Sequence, residues 1–295
     1  MMARQSYLVC ATPRTGSTLL CEMLRHTGML GVPREYFEYL KDTGLPRQPI
    51  QYFIPCEGRG ANLEPSLEQL GSPPLRKNLR RIAEYERYGY RRYLRRILRQ
   101  GTTGNAIFGA KIMWGHLHDF LDLLTGNADA TPSRRIDACL RSIFRDLKYI
   151  YVTRENKLRQ AVSLWKAIQT QQWRLDAHTH AAKGGRVPVF HFEAIDYLRR
   201  RLVEQDLAWR RFFAEAEIAP LALSYEQFAS NLPATLMQVA EFLGVKEIQS
   251  NGFAEPSLIR QADNQSEDFV AMYVSAASDA RRRTCWAAPM AAMRV

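Results

Sequence analysis

The segment ATPRTGSTLL, residues 11–20, follows the apolar run YLVC and leads into a helical pattern. Its spacing is close to that of a phosphate-cradling loop, G-x-x-x-x-G-K-[ST], whose backbone N–H groups hold an anion at a helix N-terminus. Two positions depart from that pattern. Ala11 stands at the first glycine, and Ser17 stands where the lysine that meets the β- and γ-phosphates belongs. Without that lysine, hydrolysis of a nucleoside triphosphate loses its usual charge neutraliser. Arg14, two residues before Gly16, supplies a cation from another angle, and its planar fork suits phosphate or sulfate. The loop therefore reads as a holder of one phosphate and its neighbour rather than of a triphosphate with Mg²⁺. Arg14 is expected to be exposed in it.

A second stretch carries similar chemistry. In YIYVTRENKLRQAVSLWKA, residues 149–167, a strand ends at Arg154 and Ser163 follows nine residues later within a helix. Both can reach one ligand at the carboxyl edge of a sheet, where open α/β sheets bind.

These residues need strands to deliver them. Three β-rich runs stand out, YLVCA (7–11), YIYVT (149–153) and LALSY (221–225), with a weaker fourth, AIFGAKIMW (106–114). Each is followed by a helical pattern, so the expected fold is α/β: a P-loop-like, mainly parallel sheet with helices on both faces. Helices are expected over Ser17–His26, stopped near Gly28, from about Lys157, over roughly 189–216, and over 232–243, closed by Gly244. Residues 41–75, rich in Pro and Gly, read as an irregular excursion. The expected organisation is a single domain, 1–275, and a weakly ordered C-terminal tail, 276–295.

The formal net charge of +11 is local in origin, since residues 76–99 hold ten Lys and Arg against Glu84 and Glu86. Tyr90, Tyr93, Leu94, Ile97 and Leu98 recur there at helical spacing, which predicts an amphipathic helix with a solvated basic face. A nucleic-acid surface is the sharper reading of that charge, and an electrostatic funnel or membrane surface a third. No run approaches 18 apolar residues and the N-terminus has no signal-peptide pattern, so no membrane span is expected and the location is read as cytoplasmic. The five cysteines, at 10, 21, 56, 139 and 285, lack metal-ligand spacing.

Taken together, the two stretches resemble the signatures of sulfotransferases that use 3′-phosphoadenosine-5′-phosphosulfate (PAPS). The arginine at position 14 and the nine-residue Arg–Ser spacing resemble the bacterial trehalose 2-sulfotransferase family, the Stf-zero-like proteins of mycobacteria. GVPREYFEYL, GAKIMW, QAVSLWKAIQTQQW and RQADNQSEDFVAMY extend the likeness over about residues 6–275. The resemblance implies a PAPS-dependent carbohydrate O-sulfotransferase that releases adenosine 3′,5′-bisphosphate. It implies no metal, no nucleic acid, an acceptor such as trehalose or a related glycan or glycolipid, and assembly as a homodimer.

It also implies roles. Arg14 is the charge sink, and the N–H groups of Thr15, Gly16, Ser17 and Thr18, with the hydroxyls of Ser17 and Thr18, take the 5′-phosphate. Arg154 and Ser163 take the 3′-phosphate, with Arg260 as a further contact. Glu35 is the base; from the residues alone, Glu35 and Glu38 compete for that role. Lys111 and His116, placed just after the FGAKIMW strand, are candidates for acceptor or sulfate contact. Trp165 and Trp173 read as core. The competing classes are a P-loop-type kinase or NTPase, and a non-catalytic nucleotide or nucleic-acid binding protein.

Overall fold

The computed structural model describes residues 3–37, 52–53, 89–125, 132–173, 187–246 and 263–287. The expected excursion at 41–75, apart from 52–53, the first part of the basic block, Glu38 and Arg260 lie outside the described residues.

Four strands form one fully parallel sheet in the order β2-β1-β3-β4: β1 Gln5–Ala11, β2 Ile107–Met113, β3 Leu147–Thr153 and β4 Leu221–Ser224. β1 and β3 are central, and both are nearly continuous runs of buried side chains, as strands covered on both faces must be. From β1 the chain travels outward to β2 on one side and returns to β3 on the other. The carboxyl ends of β1 and β3 therefore lie side by side at a topological switch point, where such sheets bind ligands. β2 is an edge strand, yet all seven of its residues are buried. Its open side is covered, because Gly109 N–H donates to the Gly101 carbonyl at 3.1 Å and Lys111 N–H to the Arg34 carbonyl at 2.9 Å.

Period-two alternation sends side chains to two cores. On one face Leu8, Cys10, Phe108, Ala110, Ile112, Tyr149 and Tyr151 pack beneath α2 (Tyr90–Gln100), α3 (Trp114–Thr125), α4 (Ser133–Ile143) and the later turns of α6 (Phe192–Glu215). On the other, Tyr7, Val9, Ala11, Ile150, Val152 and Leu223 meet α1 (Ser17–His26), α7 (Tyr225–Ser230) and α8 (Leu232–Leu243). A third cluster joins α5 (Lys157–Thr170), the start of α6 and α9 (Asn264–Ala287) through Trp165, Ile168, Ile195, Leu198, Phe269 and Tyr273. The expected helices over 17–26, 157 onward, 189–216 and 232–243 are all present within three residues of those bounds, and Gly244 ends α8 in a left-handed conformation.

Three details differ from the sequence reading. LALSY does not stay extended to Tyr225; Ser224 Oγ accepts the N–H of Gln227 at 3.3 Å and starts α7 there. α4 carries only a modest apolar stripe, Ile136 and Leu140, and was not foreseen. α9 runs unbroken from Asn264 to Ala287, so the boundary placed at 275–276 falls inside a helix. Among the described residues no helix is long and apolar enough to cross a membrane.

Candidate active site

The loop after β1 is built to hold a shape. Gly16 has φ 77° and caps α1 with no side-chain hydrogen bond, whereas α5, α7 and α8 are capped by Asn156, Ser224 and Asn231. Only glycine fits at 16 for a second reason: a Cβ there would run into the ring of Tyr225 and come within 2.8 Å of Phe228 Cζ. Thr15 turns its hydroxyl inward, donating to the Thr12 carbonyl at 3.1 Å. Gln160, fully buried on α5, donates to Thr12 Oγ1 at 2.9 Å and to the Pro13 carbonyl at 2.6 Å. The loop is thus fastened from within and from the helix after β3. Its first-turn N–H groups point outward at the positive end of α1.

Arg14 is not the exposed loop residue expected. It is half-buried at φ 66°, and its Nε donates to Ser163 Oγ at 3.0 Å while its Nη1 donates to the Trp173 carbonyl at 2.8 Å. Burial, and then the charge of Arg154, lower its pKa to about 10. Arg154 follows β3, donates from Nη1 to the Arg14 carbonyl at 3.4 Å, and lies 4.8 Å over the Tyr225 ring. Its Nε is 4.0 Å from Glu226 Oε1, and Glu226 also accepts the Glu155 N–H at 3.0 Å. Two arginines and a serine, from the loop after β1, the end of β3 and α5, therefore converge on one spot. Two like charges held together in a poorly solvated place is an arrangement that an anion relieves.

Glu35 occupies the other side of the loop. The segment 31–37 is laid along β2 by the Lys111-to-Arg34 main-chain bond, and Phe37 anchors it in the core against Phe120 at 4.3 Å. Tyr93 of α2 donates to the Tyr36 carbonyl at 2.5 Å. Glu35 between these anchors keeps 28% side-chain exposure and pairs with Lys111 Nζ. Lys111 is 4% exposed, and its ammonium also donates to Thr18 Oγ1 at 2.9 Å. It lies in the middle of β2, not after the strand, opposite Val9 and on the face that α1 covers.

Of the remaining candidates, Ser17 is buried and Thr18 is partly exposed. His116 is buried in the first turn of α3, one turn beyond the strand that carries Lys111. Trp165 is core, its indole N–H donating to the Val189 carbonyl at 2.8 Å. Trp173 is half-buried and stacks on Tyr52 at 5.5 Å beside Arg14. Gln160, Tyr225 and Glu226 were missed. Gln160 sits three residues before Ser163, one turn away on the same helix, and that spacing was the available signal. Among the described residues no group of three His, Cys, Asp or Glu side chains gathers as metal ligands.

Comparison with known proteins places this geometry in context. The Stf0 sulphotransferase family model matches residues 6–276. A trehalose 2-sulfotransferase of Mycobacterium tuberculosis is 35% identical over 282 residues, spanning 92% of this chain and 95% of that protein. The trehalose 2-sulfotransferase of Mycolicibacterium smegmatis is 32% identical over 271 residues, spanning 91% and 94%. A solved sulfotransferase domain from the curacin biosynthetic pathway is 14% identical, covers 90% of this chain and 83% of its own, and has a TM-score of 0.46.

Proposed function

The chain belongs to the Stf0 sulphotransferase family and is a sulfotransferase, and we propose that it moves a sulfuryl group from PAPS to a hydroxyl of a carbohydrate, with trehalose the leading acceptor. The observation that carries the donor assignment is the convergence of Arg14, Ser163 and Arg154 beside the N-terminus of α1. A donor with a 5′-phosphosulfate and a 3′-phosphate brings two anions on one nucleotide, and the helix N-terminus with the adjoining arginines is the chemistry that suits them.

The residues divide the work by position. The N–H groups of Gly16, Ser17 and Thr18, with the Thr18 hydroxyl, orient the 5′-phosphate. Arg154 and Ser163 hold the 3′-phosphate over Tyr225. Arg14 meets the charge that grows on the bridging oxygen as the sulfur–oxygen bond breaks. Glu35 takes the proton of the acceptor hydroxyl as its oxygen bonds to sulfur, leaving adenosine 3′,5′-bisphosphate and a sulfate ester. Preorganised charge and positioning supply most of the rate in a transfer of this kind.

The test is a panel of sugars and glycolipids incubated with labelled PAPS, paired with thermal shifts for adenosine 3′,5′-bisphosphate and for ATP with Mg²⁺. The expected result is label in trehalose or a related sugar and a midpoint raised by the bisphosphate more than by ATP. No labelled acceptor in the panel, with equal shifts for both nucleotides, overturns the reading.

A further inference from the structure

Lys111 is a costly side chain to have buried. An ammonium in the middle of a strand, 4% exposed, has to be offset by partners of good geometry. Two of its partners belong to different halves of the reaction. One is Glu35, the carboxylate assigned to the acceptor proton; the other is the hydroxyl of Thr18, in the first turn of the helix assigned to the donor phosphate. β2 forces this choice. Register places Lys111 opposite Val9, so its side chain rises on the face covered by α1, while its own N–H ties the Glu35 segment to the strand.

The bond direction matters. Lys111 donates to Thr18 Oγ1, which leaves the Thr18 proton to point elsewhere, and hydrogen bonds in a chain polarise one another. An anion accepting from Thr18 strengthens the Lys111–Thr18 bond and draws the ammonium's charge toward the loop. Glu35 then feels less of it. Conversely, a neutral side chain at 35 leaves the whole charge available to the loop.

We propose that Lys111 is a positioning residue that couples the two half-sites, dividing its charge between Glu35 and the donor anion held through Thr18. This rests on the reading of Thr18 and Glu35 given above. Its consequence is reciprocal: the bound donor frees Glu35 for the acceptor hydroxyl, and Glu35 in turn lowers donor affinity by the same factor. A lysine that only filled space in β2 has no such effect.

A thermodynamic cycle tests it, with adenosine 3′,5′-bisphosphate as the probe and calorimetric binding as the readout. E35Q is expected to tighten the bisphosphate by about tenfold, within the usual range of coupling between sites. In a T18V background, where the hydroxyl is gone and the shape is kept, E35Q is expected to change affinity by less than about twofold. K111M provides the same comparison by removing the charge itself, and the T18V arm stands independently should K111M fail to fold. Tightening that survives unchanged in T18V means bare repulsion between Glu35 and the ligand, and overturns the coupling. No tightening in any background overturns it as well. If wild-type protein does not bind the bisphosphate at all, it is the donor assignment that has failed, which separates the two outcomes.

Discussion

Arg14 and Ser163 are 149 residues apart in the chain, and Nε of one donates to Oγ of the other at 3.0 Å. The contact is one of three in a row: loop to α5 through Ser163, loop to the end of β3 through Arg154, and Arg154 to α7 through Tyr225. Parallel strands with neighbouring carboxyl ends bring these distant segments together, and the hydrogen bonds fix their spacing.

Arg14 is held there at a cost to the ligand-free fold. Its φ of 66° carries the strain of a non-glycine residue in the left-handed region, about 1–2 kcal/mol. Its pKa, lowered to about 10 by burial and then by Arg154, is below the unfolded value, so the charged form is disfavoured in the folded state. That cost is present at neutral pH and is relieved only as pH rises through about 10 toward the unfolded value. The two hydrogen bonds to Ser163 and Trp173 return about 1 kcal/mol each. Arg14→Gly is therefore expected to leave ligand-free stability within about 1 kcal/mol of wild type. It should also lower turnover by more than about 10²-fold. Thermal unfolding of the ligand-free protein, and turnover at saturating donor, check it; a variant that keeps near-wild-type turnover contradicts the role.

Arg154→Ala is expected to weaken adenosine 3′,5′-bisphosphate far more than adenosine 5′-monophosphate. A charged hydrogen bond contributes about 1.5–3 kcal/mol, or roughly ten- to a hundredfold in affinity. Competition binding of the two nucleotides measures the ratio directly. Equal losses move Arg154 away from the 3′-phosphate.

Gly16→Ala combines two penalties, a positive φ of 77° and a Cβ driven into Tyr225 and Phe228. Moving Tyr225 also moves the surface under Arg154. The expected loss is about 1–3 kcal/mol of stability, with weaker bisphosphate binding. Gly28→Ala is the control: φ is +66°, but nothing lies within 4 Å of the added carbon, so it should carry a similar strain without touching nucleotide affinity. Nucleotide binding lost equally in both variants means general destabilisation and not a local clash.

The fold was legible because its strands are apolar, β-rich runs, and two of them end just before residues of the site. Ala11 ends β1 before the loop, and Thr153 ends β3 before Arg154. Glycine and serine spacing then identified the loop. What sequence could not supply was direction. Thr15 and Ser17 have the same small polar character as Thr18, yet two of the three are buried and only a register explains which. Lys111 was placed after a strand although it falls within AIFGAKIMW, and its pairing with Glu35 depends on the segment 31–37 laid along that strand. Gln160 and Tyr225 reach the loop from far along the chain; the place of Gln160 one turn before Ser163 is the one signal for it, and no local pattern marks Tyr225.

Glu35 was likewise one of two carboxylates three residues apart, and its contact with Lys111 is what now argues for it. Glu35→Gln keeps the size and hydrogen-bonding shape of the side chain and removes its basic lone pair. Proton abstraction should fail while the donor still binds, at least as tightly as in wild type. A loss in kcat on the order of 10²–10⁴ is expected if the proton moves in the rate-limiting step, because that is what a positioned base contributes. Glu38→Gln should change kcat by less than about tenfold. Single-turnover rates at saturating PAPS, set beside bisphosphate affinity for each variant, separate chemistry from binding. A dead Glu38→Gln with an active Glu35→Gln reverses the assignment, and leaves Lys111 paired with a carboxylate that only holds the segment on β2. If both variants stay active, neither carboxylate takes the acceptor proton, and His116→Asn, one turn past β2, becomes the next variant to measure.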